Sequence, residues 1–231
     1  MRALPQRAGL IGALGAVVLL LIAALLLMAA APVPAQAQEP RLTGRLLEPV
    51  RSQIDSLLTT ARGSGLPVEP LVDRALEGAA KGAPPSLIIA AVIRLRDELA
   101  AARTAFGEPV SAGELTAGAS ALRAGAKSGD LAQLRTRRPD RSLTVAAAVL
   151  ADLVATGVPA DSAVGAVLAL AAQAQDADYL AFRRNVQRDV ALGASPAVAL
   201  GVRLRGMGEL ADAAIPGDLG ASGAPRRKQK P

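Results

Sequence analysis

The apolar positions between residues 86 and 106 recur alternately every four and every three residues. They are Ile88, Val92, Leu95, Leu99, Ala102 and Phe106. This spacing predicts an amphipathic helix with a seam suited to packing against a neighbouring helix. Ile89 and Ile93 widen the apolar stripe, and a wide stripe is typical of a globular bundle rather than of an isolated two-stranded coiled coil.

The same three-to-four spacing predicts helices along most of the chain. The predicted segments are residues 41 to 62, 67 to 81, 86 to 105, 111 to 127, a short piece ending near 134, 177 to 192 and 197 to 210. No segment shows the two-residue alternation of a half-buried strand. The pattern therefore predicts an all-α fold.

Two further segments, residues 142 to 156 and 160 to 175, are apolar on nearly every side. Each carries a single charged residue, Asp152 in the first and Asp161 in the second. Helices of this composition are normally buried. Because only Gly157-Val158-Pro159 separates them, we expect an antiparallel helical hairpin at the centre of the core.

A Gly-x-Pro sequence precedes three of the predicted helices, at Gly65, Gly107 and Gly157. The intervals of 42 and 50 residues are near the periods of helical repeat proteins, about 33 to 47 residues. Two architectures fit this pattern. One is a compact bundle of seven or eight helices, which the apolar hairpin favours, and the other is a short irregular α-solenoid of helix pairs.

The N-terminal segment, residues 1 to 37, has the organisation of a secretory signal peptide. Arg2 and Arg7 precede an uncharged stretch over residues 8 to 31, and Ala35-Gln36-Ala37 forms a small-x-small cleavage site. We expect cleavage between Ala37 and Gln38 and a periplasmic or extracellular product. The alternative is an uncleaved anchor in the inner membrane, because residues 8 to 31 are long enough to span a bilayer.

Composition narrows the chemistry that the chain can perform. The 231 residues include no His, no Cys and no Trp, with one Tyr and two Phe. Disulfides, metal sites built on His or Cys, and nucleophiles paired with His are therefore excluded within this chain. The chain has too few aromatic side chains to bind nucleic-acid bases by stacking. We expect no metal, no cofactor, no nucleic-acid partner and no catalytic activity.

The excess of Lys and Arg over Asp and Glu is concentrated at the two ends of the chain. Of the 26 Lys and Arg residues, two lie before residue 8 and four in the last six residues, which leaves 20 against 20 acidic residues. One of these acidic residues, Asp218, lies in the C-terminal tail, so the body, residues 38 to 214, is close to neutral; it is expected to form one helical domain. Residues 215 to 231 are expected to be a disordered tail. Its four cations either contact an anionic surface weakly or have no role; they are Arg226, Arg227, Lys228 and Lys230.

A local cluster of arginines is the main candidate for binding an anion or an acidic partner. Its members are Arg135, Arg137, Arg138 and Arg141, with Arg184 and Arg188 as additional candidates on a later helix. The sequence places this cluster at the start of the helix over residues 142 to 156, where backbone N–H groups also attract anions. The alternative is a solvated connector.

Three carboxylates are the candidates that a catalytic interpretation would choose. Asp97 and Glu98 are adjacent and point away from each other on a helix, so they cannot act as a pair. Asp152, in an apolar helix, either has a raised pKa, which would mark a functional site, or it pairs with an arginine or reaches the edge of the core.

These observations predict an exported bacterial all-α interaction or scaffold protein of the cell envelope, whose partner is an envelope protein or a lipid. The first alternative is a periplasmic binding module for an apolar ligand, such as a lipid, around residues 142 to 175. The second is a membrane-anchored helical protein, if the N-terminal segment is not cleaved.

Overall fold

The computed structural model describes residues 39 to 213, and the side chains as far as residue 207. The predictions for the signal peptide, for cleavage after Ala35-Gln36-Ala37 and for an anchor over residues 8 to 31 lie outside the described residues. The prediction of a disordered tail over residues 215 to 231 also lies outside them.

Between residues 39 and 213 the structure is all-α, as the apolar spacing predicts. A 3-10 helix, Pro40–Leu42, comes first. It is followed by α1 (Val50–Gly63), α2 (Glu69–Ala80), α3 (Pro85–Phe106), α4 (Ala112–Arg123), α5 (Ser128–Arg137), α6 (Thr144–Ala155), α7 (Ala160–Leu170), α8 (Asp176–Ala191) and α9 (Pro196–Ala213).

Several helix boundaries differ from those that the sequence predicts: α4 ends at Arg123 rather than at residue 127, and α7 ends at Leu170 rather than at residue 175. The first long helix begins at Val50 rather than at residue 41, since Gly44 adopts a φ of 73° and Pro49 lacks a backbone N–H. The short piece expected to end near residue 134 is a full helix, α5, which continues to Arg137. At its start, the carboxylate of Asp130 accepts a hydrogen bond of 2.8 Å from the N–H of Lys127. The described part thus has nine α-helices, against the seven or eight expected.

The helices pack in the order in which they occur along the chain. The main contacts join α1 and α2 with α3, α3 with α4 and α5, α4 with α6, α6 with α7 and α8, and α7 and α8 with α9. Each helix therefore packs chiefly against the next one and the next but one. The fold is a compact helical bundle with the sequential order of the solenoid alternative, and α1 and α9 stand at its two ends.

The apolar hairpin of α6 and α7 lies in the core, as the sequence predicts. Val149 and Leu153 of α6 are fully buried, and Val167 of α7 is almost so. A second tight contact joins α3 and α4, because a Cβ added at Gly118 would lie 2.9 Å from the Cβ of Ala102. Small residues thus allow close helix–helix contact in a core with few aromatic side chains.

Two of the three Gly-x-Pro glycines, Gly65 and Gly157, end helices in one common way. Gly65 and Gly157 have φ values of 68° and 98°, in the region that favours glycine. After each, the next N–H donates back to the last turn of the helix, from Leu66 to the carbonyl of Ala61 at 2.9 Å and from Val158 to that of Leu153 at 3.1 Å. This is the Schellman motif, and the buried Leu66 and Val158 anchor the turns. These glycines therefore have a structural role, which is to end one helix and to start the turn to the next.

Candidate functional site

An open groove lies between the start of α2, the outer face of α4 and one face of α6. Its cavity measures about 540 Å³. The lining residues are mostly small or apolar: Pro67, Glu69, Pro70, Ala112, Gly113, Thr116, Ala117, Ser120, Thr144, Ala148, Ala151 and Asp152. We call this the α2–α4–α6 groove. It brings together segments as far apart in sequence as Pro67 and Asp152.

The floor of the groove is formed by small side chains on consecutive turns of α4. Ala117 is buried, and Thr116 and Ser120 are half-buried. The two hydroxyls donate within their own helix, Thr116 to the carbonyl of Ala112 at 2.9 Å and Ser120 to that of Thr116 at 3.0 Å. Because these donors are already engaged, the floor offers an occupant mainly van der Waals contact.

The rim of the groove carries two carboxylates and no lysine or arginine. Glu69 stands at the start of α2 and Asp152 on α6. Glu69 pairs with Arg41 at 2.8 Å, and Asp152 forms an ion pair with Arg183 of α8. The interpretation that Asp152 pairs with an arginine is confirmed. The only charged side chains that line the groove itself are thus two carboxylates, and each is paired with an arginine that lies outside the lining.

A second cavity of about 370 Å³ continues the depression along α2 and α4. It shares Pro70, Thr116 and Ser120 with the first, and Leu95 of α3 lies among its lining residues. Its charged residues are of both signs: Asp73, Arg74, Glu77 and Arg123. The part of the depression that is lined mainly by apolar residues, and whose charged lining residues are both acidic, is therefore the α2–α4–α6 groove.

The predicted arginine cluster lies at the end of a helix and not at the start of one. Arg135 and Arg137 are in the last turn of α5, and Arg138 is its C-terminal capping residue. The helix that follows begins only at Thr144. The N-terminal anion-binding geometry expected from the sequence is therefore wrong for these residues, because α5 continues to Arg137.

The cluster caps the C-terminal end of α7 and the turn that follows it. Arg137 donates to the carbonyl of Leu168 at 2.8 Å. Arg138 and Arg141 both donate to the carbonyl of Ala174, at 2.6 and 3.1 Å. Carbonyls at the end of a helix lack intrahelical partners, and cations there interact favourably with the helix dipole. This arrangement gives the cluster a structural role.

Arg138 is the most buried member of the cluster, with only 2% of its surface exposed. It forms an ion pair of 3.0 Å with Asp176 at the start of α8, and its guanidinium lies 5.2 Å from the centre of the Tyr179 ring. The Tyr179 hydroxyl donates to the carbonyl of Val167 at 3.0 Å. Burial raises the pKa of Tyr179 to about 12, although the nearby Arg138 acts in the opposite direction.

Arg184 and Arg188 are exposed on α8. They lie eight and twelve residues after Asp176, or about 12 and 18 Å further along the helix at 1.5 Å per residue. The structure thus separates them from the Asp176 end of α8, where Arg138 binds. That any of the six arginines contacts an anion or a partner stays a prediction.

Glu114 is a buried polar residue that sequence reasoning missed. It is buried, and its carboxylate accepts bonds from the N–H and the hydroxyl of Ser111, both at 2.9 Å. It also accepts from Arg135 and from the N–H of Leu143, both at 3.0 Å. Burial opposes ionisation, but these hydrogen bonds outweigh it and hold the pKa of Glu114 below its usual range. The Ser111-x-x-Glu114 spacing, a capping box, was the available signal.

Asp97 and Glu98 have separate partners, in agreement with their predicted directions. Asp97 pairs with Arg96 at 2.7 Å, and Glu98 with Arg123 of α4 at 2.5 Å. The two carboxylates therefore do not converge on one position.

Within residues 39 to 213, no three or more acidic residues form a group that could hold a metal ion. Of the helices in that range, none is both long enough and apolar enough to cross a bilayer. The chain matches no protein family, no curated protein and no solved structure.

Proposed function

We propose that this chain is an exported, non-catalytic interaction or scaffold protein of the bacterial cell envelope. The observation that supports this proposal is the α2–α4–α6 groove, which combines an apolar floor with an acidic rim. Export rests on the N-terminal sequence, Arg2 and Arg7 before an apolar stretch and Ala35-Gln36-Ala37 after it. An uncleaved segment would instead hold the same groove at the surface of the inner membrane.

The occupant of the groove is a short amphipathic segment of a partner protein, with small apolar side chains on one face and a cation beside it. The half-buried Thr116, Ser120 and Ala148 leave room for such side chains because they are themselves small. Glu69 and Asp152 are the acidic groups that this cation would contact, in competition with Arg41 and Arg183. Helices commonly bind in grooves of this kind, where charge adds orientation and association rate more than affinity.

Calorimetric titration with two synthetic helical peptides tests this proposal. Both carry the same Ala and Leu face, and one has lysines where the other has glutamates. We expect the lysine peptide to bind more tightly, by about tenfold or more at low salt. Thr116→Arg should abolish its binding, since it fills the groove and adds a cation. Asp97→Asn, an exposed change on α3, should leave binding intact. Equal binding of the two peptides would contradict the proposed chemistry.

An apolar ligand such as a lipid is the second candidate occupant. Ala148 and Ala151 of α6 favour this candidate, because they line the groove. They belong to the hairpin at residues 142 to 175, where the sequence predicts an apolar ligand. Native mass spectrometry of the purified protein separates the two proposals. A co-purified lipid that is lost in Thr116→Arg would assign the groove to an apolar ligand. A ligand-free mass together with lysine-peptide binding supports the partner segment.

A further inference from the structure

Asp55 on α1 is a buried carboxylate that forms no ion pair with the side chains of residues 39 to 207. Only 3% of its surface is exposed, and its Oδ1 accepts a hydrogen bond of 3.1 Å from the backbone N–H of Glu39. The other two buried charged side chains of that part of the chain, Glu114 and Arg138, are each in an ion pair of 3.0 Å. Charged side chains are rarely buried without a partner, so the counter-charge of Asp55 needs an explanation.

The arginines nearest to this contact in sequence are bonded to other carboxylates. Arg51, one turn before Asp55 on α1, pairs with Glu48 at 2.5 Å. Arg41, two residues after Glu39, pairs with the Glu39 side chain at 3.1 Å. The hydrogen bond to Asp55 comes from the backbone of Glu39, which points to the chain immediately before Glu39 as the source of the counter-charge.

Cleavage between Ala37 and Gln38 would create a cation at this position. It would turn the backbone nitrogen of Gln38 into an α-ammonium group, whose ordinary pKa of about 7.7 to 8.0 keeps it mostly charged at neutral pH. Covalent geometry holds the nitrogens of consecutive residues within about 3.7 Å of each other. Because the nitrogen of Glu39 lies 3.1 Å from Asp55 Oδ1, the ammonium would lie within about 7 Å of that oxygen in any conformation of Gln38.

We infer that Asp55 is the binding site for the N-terminal ammonium group of the mature chain, so that removal of the signal peptide stabilises the bundle. The compact unit that contains the bundle begins at Glu39, one residue after the predicted cleavage site. In the uncleaved chain the same nitrogen belongs to a neutral peptide bond, and the precursor is therefore less stable than the mature protein. This inference rests on the export part of the proposed function and does not involve the α2–α4–α6 groove.

Urea unfolding of chains with two different N-termini tests this inference. Both lack residues 1 to 34, since the chain from Glu39 onwards forms a compact unit by itself. One starts at residue 38, and the other starts at Ala35, which moves the ammonium three residues away. Both carry Gln38→Ala, because an N-terminal glutamine can cyclise and lose its charge. At neutral pH the longer chain should have an unfolding equilibrium constant at least about fivefold larger. With Asp55→Asn added, the two chains should differ by less than about twofold.

Two controls keep this comparison decisive. Asp97→Asn, an exposed change on α3, should leave the difference between the two chains unchanged. If Asp55→Asn fails to fold, acetylation of the shorter chain at its N-terminus replaces it, since the acetyl group removes the charge and should cause the same loss of stability as the extension. Equal stability of the two chains with Asp55 present, or an equal difference in Asp55→Asn, would overturn the inference.

The intact mass of the protein exported from the full chain tests the export proposal separately. A chain that starts at Gln38 with a free amine supports both the export proposal and the role of Asp55. A chain that starts at Gln38 but has lost one ammonia through cyclisation would overturn the role of Asp55 and leave export intact. An intact chain from Met1 would contradict export itself, whatever the two shorter chains show in urea.

Discussion

Arg135 donates a hydrogen bond of 3.0 Å to Glu114, and this ion pair ties the last turn of α5 to the first turn of α4. The same carboxylate oxygen accepts from the N–H of Leu143, which caps the start of α6. One buried side chain thus fixes three helices, and two of them, α4 and α6, form the α2–α4–α6 groove.

Glu114→Gln should lower the free energy of unfolding by about 2 to 3 kcal/mol at neutral pH, since charge-assisted hydrogen bonds of a buried carboxylate are lost. Because the folded-state pKa is depressed, the contribution of Glu114 is fully present above the ordinary glutamate value of about 4.3. It is lost as the pH falls through the depressed value. Urea titrations at several pH values should show the two proteins converging in acid.

Asp97→Asn is the matched control for Glu114→Gln. Asp97 is exposed and pairs only with its neighbour Arg96. An exposed pair of this kind contributes about 0 to 1 kcal/mol. If Glu114→Gln and Asp97→Asn unfold at the same urea concentration at neutral pH, then the link between Glu114, Arg135 and Leu143 does not hold the helices together.

Tyr179 provides a spectroscopic measure of core integrity at alkaline pH, because it is the only tyrosine in the chain. Its folded-state pKa of about 12 exceeds the ordinary value of about 10. The resulting stabilisation is complete below about pH 10 and disappears as the pH rises towards 12. Absorbance of the tyrosinate ion should therefore rise near pH 12, or together with unfolding. A midpoint near 10 while circular dichroism still shows full helix would contradict the burial of Tyr179.

Two glycines within helices should respond oppositely to alanine. Gly118 faces α3, where a Cβ would lie 2.9 Å from that of Ala102 and 2.6 Å from the Phe106 ring. Gly118→Ala should therefore destabilise the protein by about 1 to 3 kcal/mol. Gly165 in α7 is exposed with nothing within 4 Å. Gly165→Ala should stabilise by up to about 1 kcal/mol through helix propensity. Thermal melts that shift both variants in the same direction would refute the close contact of α3 and α4.

Mutations of Arg138 and Arg184 should distinguish candidate arginines that stabilise the fold from those that are exposed on its surface. Arg138→Met should destabilise by about 2 to 3 kcal/mol, because the carbonyl of Ala174 and the carboxylate of Asp176 lose a buried charged donor. Arg184→Met, at an exposed position on α8, should change stability by less than about 0.5 kcal/mol. Chemical denaturation of both variants distinguishes these expectations. A neutral Arg138→Met would show that the contact of Arg138 with the turn before α8 is dispensable.

The helices themselves could be predicted because periodicity is local information. The stripe from Ile88 to Phe106 matches the buried residues of α3 position by position, and the hairpin around Leu153 is buried as expected. The role of the arginines could not be predicted, since it depends on carbonyls more than 30 residues later in the chain, at Leu168 and Ala174. The α2–α4–α6 groove could not be predicted for the same reason, because its walls come from helices that are not adjacent in sequence.

Site-specific photo-crosslinking in the producing cells tests the central claim, that this protein binds a partner segment in the α2–α4–α6 groove. A photoreactive residue replaces Ala148 inside the groove or Ser162, an exposed residue of α7. We expect a discrete covalent adduct with a protein from Ala148 and none from Ser162. The adduct should disappear when Thr116→Arg is added to the Ala148 variant. Crosslinks of equal yield from both positions, or none from Ala148 in a folded protein, would contradict the account.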